Sequence, residues 1–495
     1  MNKFKVLLVY PNLQMVNLLL SNIPILSAYL KESGIDVRLF DATMYKTAEK
    51  SIDEIRVENL QLRPFNLKEK GVEYNDANIF EDFKIVVEEY KPDLIGVSAT
   101  DDTYDQGIDL VSHIRDKGIF TIVGGVYPTF SPDKVINDEN VDAICMAEGE
   151  EALVELCNKL MANDDITGVK NIWVKKHGKI YKNETRKPIS LNESLFEDFS
   201  IFEENRFFRP MQGKVYRMIP VTIDRGCPYK CDFCAAPLKR KMYKDAGVSG
   251  YYRVKSPARI IEEVKCQIER YKADYIYFNS ETFFARGQES IEEFGREYAA
   301  KIGLPFWCQT RPETITERRV KILEDMNCDR VSIGLEHGNE EFRKKLNKPF
   351  TNEQAINAFK ILEKSRIPVT VHNIIGFPGE TRELAFDTIR LNRQIEADSI
   401  TALFFVPYTG TPLRQLCLEK GYLDPNAKTN GVVKSSILNM PNFPPDAIKG
   451  LVRTFPLYVK LPESYFDKIE IAEQHNKEGD GMYAELRKIY YEDYF

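Results

Sequence analysis

Residues 216–237 read YRMIPVTIDRGCPYKCDFCAAP, a strand-like apolar run followed at once by a loop with three cysteines. Cys227, Cys231 and Cys234 have the spacing C-x3-C-x2-C. This spacing lets one short loop place three thiolates on three corners of a [4Fe–4S] cluster and leave one iron without a protein ligand. A zinc site would need a fourth Cys or His nearby, and none lies within 30 residues on either side. The loop therefore predicts a cluster with an open iron, where substrate chemistry can take place.

The cysteine loop follows the first strand of a predicted barrel at residues 215–425. Six strand-like runs alternate with amphipathic helical stretches there, which is typical of a partial (β/α)6 barrel with its active site at the carboxyl ends of the strands. The predicted strands read YRMIPVTID, YIYFNS, PFWCQT, RVSIGLEH, PVTVHNIIGF and SITALFFVP. The last stretch, residues 426–495, is Tyr-rich, and we expect it to be a small C-terminal substrate or capping segment.

An earlier alternation of strands and helices occupies residues 1–160. It predicts an α/β fold with an N-terminal doubly wound, Rossmann-like parallel sheet. Its strands read KVLLVYP, DVRLFDAT, DLIGVSAT, FTIVGG and DAICMAEGE. Such sheets bind ligands outside the carboxyl ends of their strands. Residues 161–214 contain a hairpin-like stretch, NIWVKKHGKIYKN, and then an irregular charged stretch, which together we interpret as a linker.

The bulk properties describe a folded globular protein. The chain has 495 residues, 43% of them hydrophobic, and a formal net charge of -7, so a broad surface for nucleic acid is not expected. The sequence contains no run of 18 apolar residues, so no membrane span is predicted. The first apolar run is too short for a signal peptide, and we therefore expect a cytoplasmic protein. The six cysteines outside the loop are scattered, as buried apolar residues are.

Several sequence motifs together carry a family resemblance. They are the cysteine loop, GGVYPTFSPDKV, VDAICMAEGEEAL, YIYFNSETF, GLEHGNEEF with Lys348 following, IIGFPGET and VPYTGTPL. Together they span about 420 residues. A C-x3-C-x2-C loop at the end of the first strand of a six-unit barrel resembles a radical S-adenosylmethionine (SAM) enzyme. With the N-terminal sheet, the chain is similar to the cobalamin-binding subfamily, of the methyltransferase type.

The resemblance implies that SAM chelates the open iron and is cleaved reductively to methionine and a 5′-deoxyadenosyl radical. Glu281, after the second barrel strand, resembles the residue that holds the amino or ribose end of SAM. Glu336 is similar to a ribose-hydroxyl ligand, and Arg311 to a ligand of the carboxylate of SAM or of the substrate. Gly376 resembles the backbone support of adenine. Alternatively, Glu281 is a surface carboxylate, and Gly376 only ends a strand.

Cobalamin is the second cofactor that the resemblance implies. The Asp-x-His-x-x-Gly motif of many cobalamin domains is absent, and His113 looks like a helix surface residue. We therefore expect base-off cobalamin without a lower histidine ligand. A dinucleotide is disfavoured because no G-x-G-x-x-G follows the first strand. Glycine and small polar residues are common in any such loop. The candidate contacts, chosen by their place at the strand ends, are Ser98, Thr100, Gly124, Gly125, Tyr127, Thr129 and Gly149.

The leading hypothesis for the activity is methylation of an unactivated carbon through methylcobalamin and the deoxyadenosyl radical. A rearrangement or cyclisation without methyl transfer and a non-catalytic cobalamin-binding protein are the alternatives. Methylthiolation of tRNA is disfavoured by the acidic charge and by the lack of a second cysteine triad. His372 and Tyr408 are weaker catalytic candidates, with packing as the simpler interpretation. The expected partners are a small-molecule or peptide substrate and an electron donor such as flavodoxin or ferredoxin, without nucleic acid.

Overall fold

A computed structural model describes residues 3–429 and 431–494. The strands, numbered along the chain, are β1 Lys5–Tyr10, β2 Asp36–Asp41, β3 Leu94–Ser98, β4 Phe120–Gly124, β5 Ala143–Cys145, β6 Ile172–Lys176, β7 Lys179–Lys182, β8 Phe208–Met211, β9 Lys214–Thr222, β10 Asp224–Arg225, β11 Arg253–Val254, β12 Tyr275–Asn279, β13 Phe306–Thr310, β14 Cys328–Glu336, β15 Val369–Ile375 and β16 Ser399–Phe404. The helices are α1 Asn22–Glu32, α2 Ile52–Glu58, α3 Ile79–Tyr90, α4 Tyr104–Ser112, α5 Val126–Phe130, α6 Pro132–Ile136, α7 Glu150–Met161, α8 Ala236–Asp245, α9 Pro257–Tyr271, α10 Gln288–Lys301, α11 Glu317–Asp325, α12 Glu340–Lys345, α13 Asn352–Glu363, α14 Arg382–Asn392, α15 Pro412–Glu419, α16 Pro445–Lys460, α17 Phe466–Ala472 and α18 Lys477–Tyr494.

The chain forms two compact units that exchange short segments of sequence. The first unit comprises Met1–Ser51, Leu67–Arg209 and Leu238–Arg253. The second comprises Ile52–Asn66, Pro210–Pro237 and Val254–Phe495. Within residues 3–429 and 431–494, no helix combines the length and the apolar character that crossing a membrane requires.

The first unit contains a seven-stranded sheet in the order β2-β1-β3-β4-β5-β6-β7. Its first five strands pair in parallel, as predicted. The order 2-1-3-4-5 is that of flavodoxin-type doubly wound sheets, in which ligands bind at the carboxyl edge near the β1/β3 switch point. Val6, Leu7 and Leu94 are almost completely buried, because a parallel sheet is covered on both faces.

The predicted hairpin within residues 161–214 is present and extends this sheet. Strands β6 and β7 pair antiparallel, and β6 also pairs antiparallel with β5. His177 and Gly178 have φ of 52° and 72° at the two-residue turn. Two positive φ angles are what a type I′ hairpin turn requires. The stretch interpreted as a linker therefore contributes two strands to the first unit.

The second unit contains the partial barrel. Its sheet has the order β16-β15-β14-β13-β12-β9-β8. Six of these strands pair in parallel with their neighbours, namely β9, β12, β13, β14, β15 and β16. These six strands overlap the six predicted runs, so the α/β fold with a parallel sheet followed by a partial barrel is confirmed. Cys227 comes shortly after β9 and β10, so the cysteine loop begins at the carboxyl end of the first barrel strand.

Strand β16 ends the barrel sheet, and two distant segments cover it. The Gln61 Nε2 donates to the Ala402 carbonyl at 3.0 Å, and the Ser399 hydroxyl donates to the Gln61 carbonyl at 3.2 Å. The Phe404 amide donates to the Val432 carbonyl at 2.8 Å. An uncovered edge strand offers unpaired backbone groups to other chains, and these contacts remove that hazard.

Helices α16 to α18 pack in the same unit and account for most of residues 426–495. Arg382 forms two hydrogen bonds of 2.7 Å with the Glu473 carboxylate. Arg393 donates to the carbonyls of Tyr458 and Leu461 at the end of α16, at 2.6 Å and 2.7 Å. These contacts satisfy carbonyls that a helix end otherwise leaves unpaired. The segment therefore has a structural role on the barrel, and a role in substrate binding stays a prediction.

Candidate functional site

The cysteine loop lies between β10 and α8. Gly226 has φ of 87°, a conformation that favours glycine, and it turns the chain directly before Cys227. Cys231 is buried, whereas Cys227 and Cys234 are half-buried. All three cysteines line one cavity of about 370 Å³ within the second unit. Its complete lining is Cys227, Tyr229, Cys231, Phe233, Cys234, Ala236, Pro237, Glu281, Thr282, Gln309, Thr310, Arg311, Ser332, Gly334, Glu336, Lys348, His372 and Leu403.

The three thiols suit a cluster better than a single ion. Among the described residues, no three His, Cys, Asp or Glu side chains converge on one metal ion. A [4Fe–4S] cluster needs no such point, because each thiolate binds a different iron. The Cys234 sulfur accepts a hydrogen bond from the Ala236 amide at 3.4 Å, and the Cys231 sulfur accepts one from Arg311 at 3.2 Å. Donors aimed at cysteine sulfur are a recurrent feature of iron–sulfur sites, so the residues fit the group.

Burial acts on the protonation of the thiols. It raises the pKa of Cys227, and it raises the pKa of Cys234 to about 12, with the nearby Glu281 acting in the same direction. A thiol in such surroundings stays protonated unless a metal replaces its proton. We therefore expect cluster assembly in this loop to release protons.

The two acidic residues singled out by the resemblance both line the cavity. Glu281 follows β12 and is exposed, so its carboxylate is available to a ligand. Glu336 is the last residue of β14 and has φ of 64°. Its carboxylate accepts a hydrogen bond of 2.7 Å from Lys348 Nζ, and both side chains are largely buried. The structure thus places Glu281 and Glu336 in one cavity, Glu336 with a fixed orientation.

Gly334 makes room for the Glu336–Lys348 pair. A Cβ at position 334 would lie 2.4 Å from Glu336 Oε1 and 3.0 Å from Lys348 Nζ. The pairing register of β14 with β15 shifts between Gly334 and Glu336. A bulge of this kind re-aims a side chain. The glycine and the bulge together turn the Glu336 carboxylate toward Lys348.

His372 also lines the cavity, from the middle of β15. Its Nδ1 shares a hydrogen bond of 2.7 Å with Thr401 Oγ1, and the Thr401 hydroxyl donates to the Val371 carbonyl at 3.3 Å. Burial lowers the pKa of His372 to about 3, and the positive charges of Arg56, Lys348 and Arg330 act in the same direction. The imidazole is therefore neutral at physiological pH.

The depressed pKa of His372 predicts a pH-dependent contribution to stability. The unfolded chain binds a proton at this histidine below its ordinary pKa of 6.5, whereas the folded chain does not until about pH 3. Stability from this group is therefore present above pH 6.5 and is lost as the pH falls, by about 2 kcal/mol at pH 5. Thermal unfolding of wild type and His372→Gln at pH 7 and pH 5 measures it. We expect the wild type to lose more stability than the variant, and equal losses would contradict the assignment.

Gly376 and Tyr408 are not among the residues that line the cavity. The Gly376 amide donates to Glu380 Oε2 at 2.5 Å, in a turn that the buried pair His337 and Glu380 holds. The Tyr408 carbonyl accepts from the Thr411 hydroxyl at 2.7 Å, which closes a turn before α15. Both residues have clear structural roles here, and a contact of Gly376 with adenine stays a prediction.

Sequence reasoning did not select several polar residues that share this cavity. Gln309, Ser332 and Thr310 are three of them, and Lys348 was noted only as following a motif. The period-two alternation of β13 and β14 could have indicated Gln309 and Ser332, because inward-facing positions recur every second residue. Nothing local indicates Lys348, because its partner Glu336 is reached only through the fold.

The seven candidate cobalamin residues lie in the first unit, at the carboxyl ends of the adjacent strands β3, β4 and β5. The Ser98 hydroxyl accepts from Asn22 Nδ2 at 2.8 Å, and Thr100 is exposed. Gly124, Gly125 and Gly149 are half-buried. These five positions leave hydroxyls and backbone accessible at the edge where a ligand of such a sheet binds.

Tyr127 and Thr129 are instead buried in the packing of the loop. Tyr127 lies against Tyr104, with ring centroids 4.7 Å apart. The Thr129 hydroxyl donates to the Gly125 carbonyl at 2.7 Å. Gly125 has φ of 112°, and a Cβ there would lie 2.3 Å from the Ala99 carbonyl oxygen. This edge fits a bulky ligand through its backbone and small side chains, while these three residues also shape the loop itself.

His113 lies outside this edge, as predicted. It is exposed at the end of α4, where its ring stacks on Phe80 at 4.3 Å and its Nδ1 contacts the Asp109 carbonyl at 2.7 Å. The absence of a histidine ligand to cobalt stays a prediction.

The fold and the site define an α/β protein with a cysteine-lined cavity at the open end of a partial barrel and with a doubly wound sheet. Residues 221–391 match the Radical SAM superfamily model, and residues 67–157 match the B12 binding domain model. The chain therefore has matches to both domains that the resemblance implies, which confirms the resemblance.

Individual relatives are similar to this chain over most of its length. The chain is 23% identical over 418 residues to an uncharacterized methyltransferase of Pyrococcus horikoshii, which covers 83% of this chain and 88% of that protein. It is similar in fold to the radical SAM methyltransferase TsrM of Kitasatospora setae, solved with tryptophan substrate and a SAM analog (15% identity, TM-score 0.62, 84% of this chain and 76% of that one). It is also similar in fold to the cobalamin-dependent SAM radical enzyme OxsB, solved with aqua-cobalamin and SAM (16% identity, TM-score 0.64, 98% and 71%).

Proposed function

We propose that the chain is a cobalamin-dependent radical SAM methyltransferase that adds a methyl group to a carbon of a small-molecule or peptide substrate. The observation that carries the proposal is the cavity of about 370 Å³ lined by all three cysteines of the C-x3-C-x2-C loop and by Glu281 and Glu336. When bound, the cluster would supply one electron and cobalamin a methyl-carrying metal centre. The B12-binding match in the same chain and the methyltransferase name of the archaeal relative support the choice of methyl transfer.

The residues of the barrel have separate tasks in this proposal. Cys227, Cys231 and Cys234 hold the cluster. The Glu281 carboxylate accepts hydrogen bonds from the amino or ribose end of SAM. The Glu336 carboxylate, which Lys348 holds in place, accepts hydrogen bonds from the ribose hydroxyls. The neutral imidazole of His372 can accept a hydrogen bond but cannot act as a strong base, because its pKa is lowered to about 3. A reactive radical formed in the cavity would have to be protected from water, and the bound cofactors and substrate would contribute to that protection.

The first unit holds the corrin in this proposal. The loops after β3, β4 and β5 contact it through Ser98, Thr100, Gly124, Gly125 and Gly149. The chain would bind cobalamin in the base-off form, because no histidine is proposed as a ligand from the first unit. Flavodoxin or ferredoxin supplies the electron, and the reducing cytoplasm keeps the free thiols of the loop reduced.

Metal analysis and product analysis test the proposal together. Protein made anaerobically in cells supplied with cobalamin should contain about four irons and one cobalt per chain. Incubated with methyl-labelled SAM and a reductant, without other substrate, it should form 5′-deoxyadenosine and S-adenosylhomocysteine and place the label in its cobalamin. Deoxyadenosine without labelled cobalamin would favour a rearrangement or cyclisation instead. Neither product would indicate a non-catalytic cobalamin-binding protein.

A further inference from the structure

Arg311 lines the same cavity as the three cysteines. It follows β13, and its Nη1 donates to Cys231 Sγ at 3.2 Å. Its Nε donates to Glu313 Oε1 at 2.6 Å, and its guanidinium lies 3.9 Å from the centre of the Tyr229 ring. Only 6% of Arg311 is exposed. An ion pair, a stacked ring and a sulfur acceptor thus fix the Arg311 guanidinium against the Cys231 sulfur.

This arrangement bears on the electronic state of whatever Cys231 binds. A guanidinium is always charged in proteins, and a charge-assisted hydrogen bond is about twice as strong as a neutral one. Hydrogen bonds to cysteine sulfur and the local charge are among the factors that set the reduction potentials of iron–sulfur clusters. A cation beside the sulfur stabilises the reduced cluster, because reduction adds one negative charge.

We infer that Arg311 is a positioning residue that raises the reduction potential of the cluster through its bond to Cys231, with Glu313 holding its orientation and offsetting part of its charge. The inference rests on the proposed function, in which Cys231 is a cluster ligand. It is an alternative to the prediction that Arg311 binds a carboxylate of SAM or of the substrate. Two of the three guanidinium nitrogens already donate hydrogen bonds within the chain, Nε to Glu313 and Nη1 to Cys231.

We expect substitutions of Arg311 and Glu313 to shift the midpoint potential of the cluster in opposite directions. In Arg311→Gln the cation is lost, so the ratio of reduced to oxidised cluster at a fixed potential should fall about tenfold, which is a midpoint about 59 mV more negative for a one-electron couple. In Glu313→Gln the acceptor oxygen remains but the negative charge is lost, so the midpoint should become less negative. Loosening of the loop alone would not move the two variants in opposite directions.

The experiment is a redox titration of the anaerobic holoenzyme with dithionite, without SAM, followed by electron paramagnetic resonance of the reduced cluster. Arg318→Gln is the charge control, because Arg318 is an exposed partner of Glu292, and we expect no shift. Iron is counted first in every protein. Binding of labelled SAM to the oxidised proteins is then measured by equilibrium dialysis.

The outcomes separate the two hypotheses. A wild type without a cluster overturns the proposed function and this inference with it. A wild type with a cluster and an Arg311→Gln variant with an unchanged midpoint overturns the inference alone. Lost SAM binding at an unchanged midpoint assigns Arg311 to the carboxylate of SAM. Where Arg311→Gln does not retain iron, Glu313→Gln decides, because an unchanged or more negative midpoint in that variant contradicts the inference.

Discussion

Alanine in place of Cys231 is expected to remove the iron–sulfur cluster. Cys231 is the buried member of the triad, and its sulfur accepts a hydrogen bond from Arg311. With two thiolates left, the loop cannot hold three corners of a cluster, so iron should fall from about four per chain to below one, with loss of the visible absorption. Formation of deoxyadenosine from SAM should fall to background at the same time.

A cysteine outside the loop provides the matched control. Cys266 lies on α9, is partly exposed and does not line the cavity, so the same substitution there, Cys266→Ala, should keep the full iron content. Circular dichroism distinguishes loss of the cluster from loss of the fold. Iron retained by Cys231→Ala would contradict the assignment of the loop. One zinc and no iron per chain in the wild type would show that the loop binds zinc and not an iron–sulfur cluster.

Gly338→Ala is expected to cause a large loss of stability in the barrel unit. Gly338 lies between β14 and α12, where it packs against the backbone of α14. An added Cβ would lie 2.1 Å from the Asp387 carbonyl oxygen and 2.5 Å from the Thr388 Cα. Backbone atoms of a packed helix cannot move aside cheaply, so we expect a cost of about 3 kcal/mol or more. A midpoint of thermal unfolding lowered by several degrees would show it.

A second glycine in the same unit should respond in the opposite direction. Gly481 lies within α18, and an added Cβ would meet nothing within 4 Å. Alanine favours a helix over glycine by about 1 kcal/mol, so Gly481→Ala should raise the midpoint or leave it unchanged. If both variants were equally stable, the close contact between Gly338 and α14 would be wrong.

Much of the fold was predictable because its signals are local. Most of the parallel strands alternate or run apolar over five to nine residues, and each run can be recognised without knowing its partners. The hairpin at residues 172–182 is encoded by its His-Gly turn. The cysteine triad is equally local, because three ligands in eight residues need only one short loop. The fold class and the superfamily therefore follow from stretches of contiguous sequence.

Other parts of the site depend on residues that are distant along the chain. Arg311 and Cys231 are 80 positions apart, yet one hydrogen bond joins them. Residues 52–66 lie between predicted elements of the first sheet but cover strand β16 of the barrel. No local pattern encodes either contact.

The sequence alone thus determined the succession of most strands and helices, the cysteine loop and the family resemblance, since each rests on short stretches of contiguous residues. The tertiary structure decided which side chains share the cavity and how each is held. The Lys348–Glu336 pair, the room that Gly334 leaves for it and the contact of Arg311 with Cys231 all arise only when separate strands close around one space. Packing of distant segments brings these groups within hydrogen-bonding distance, and no stretch of sequence specifies that distance by itself.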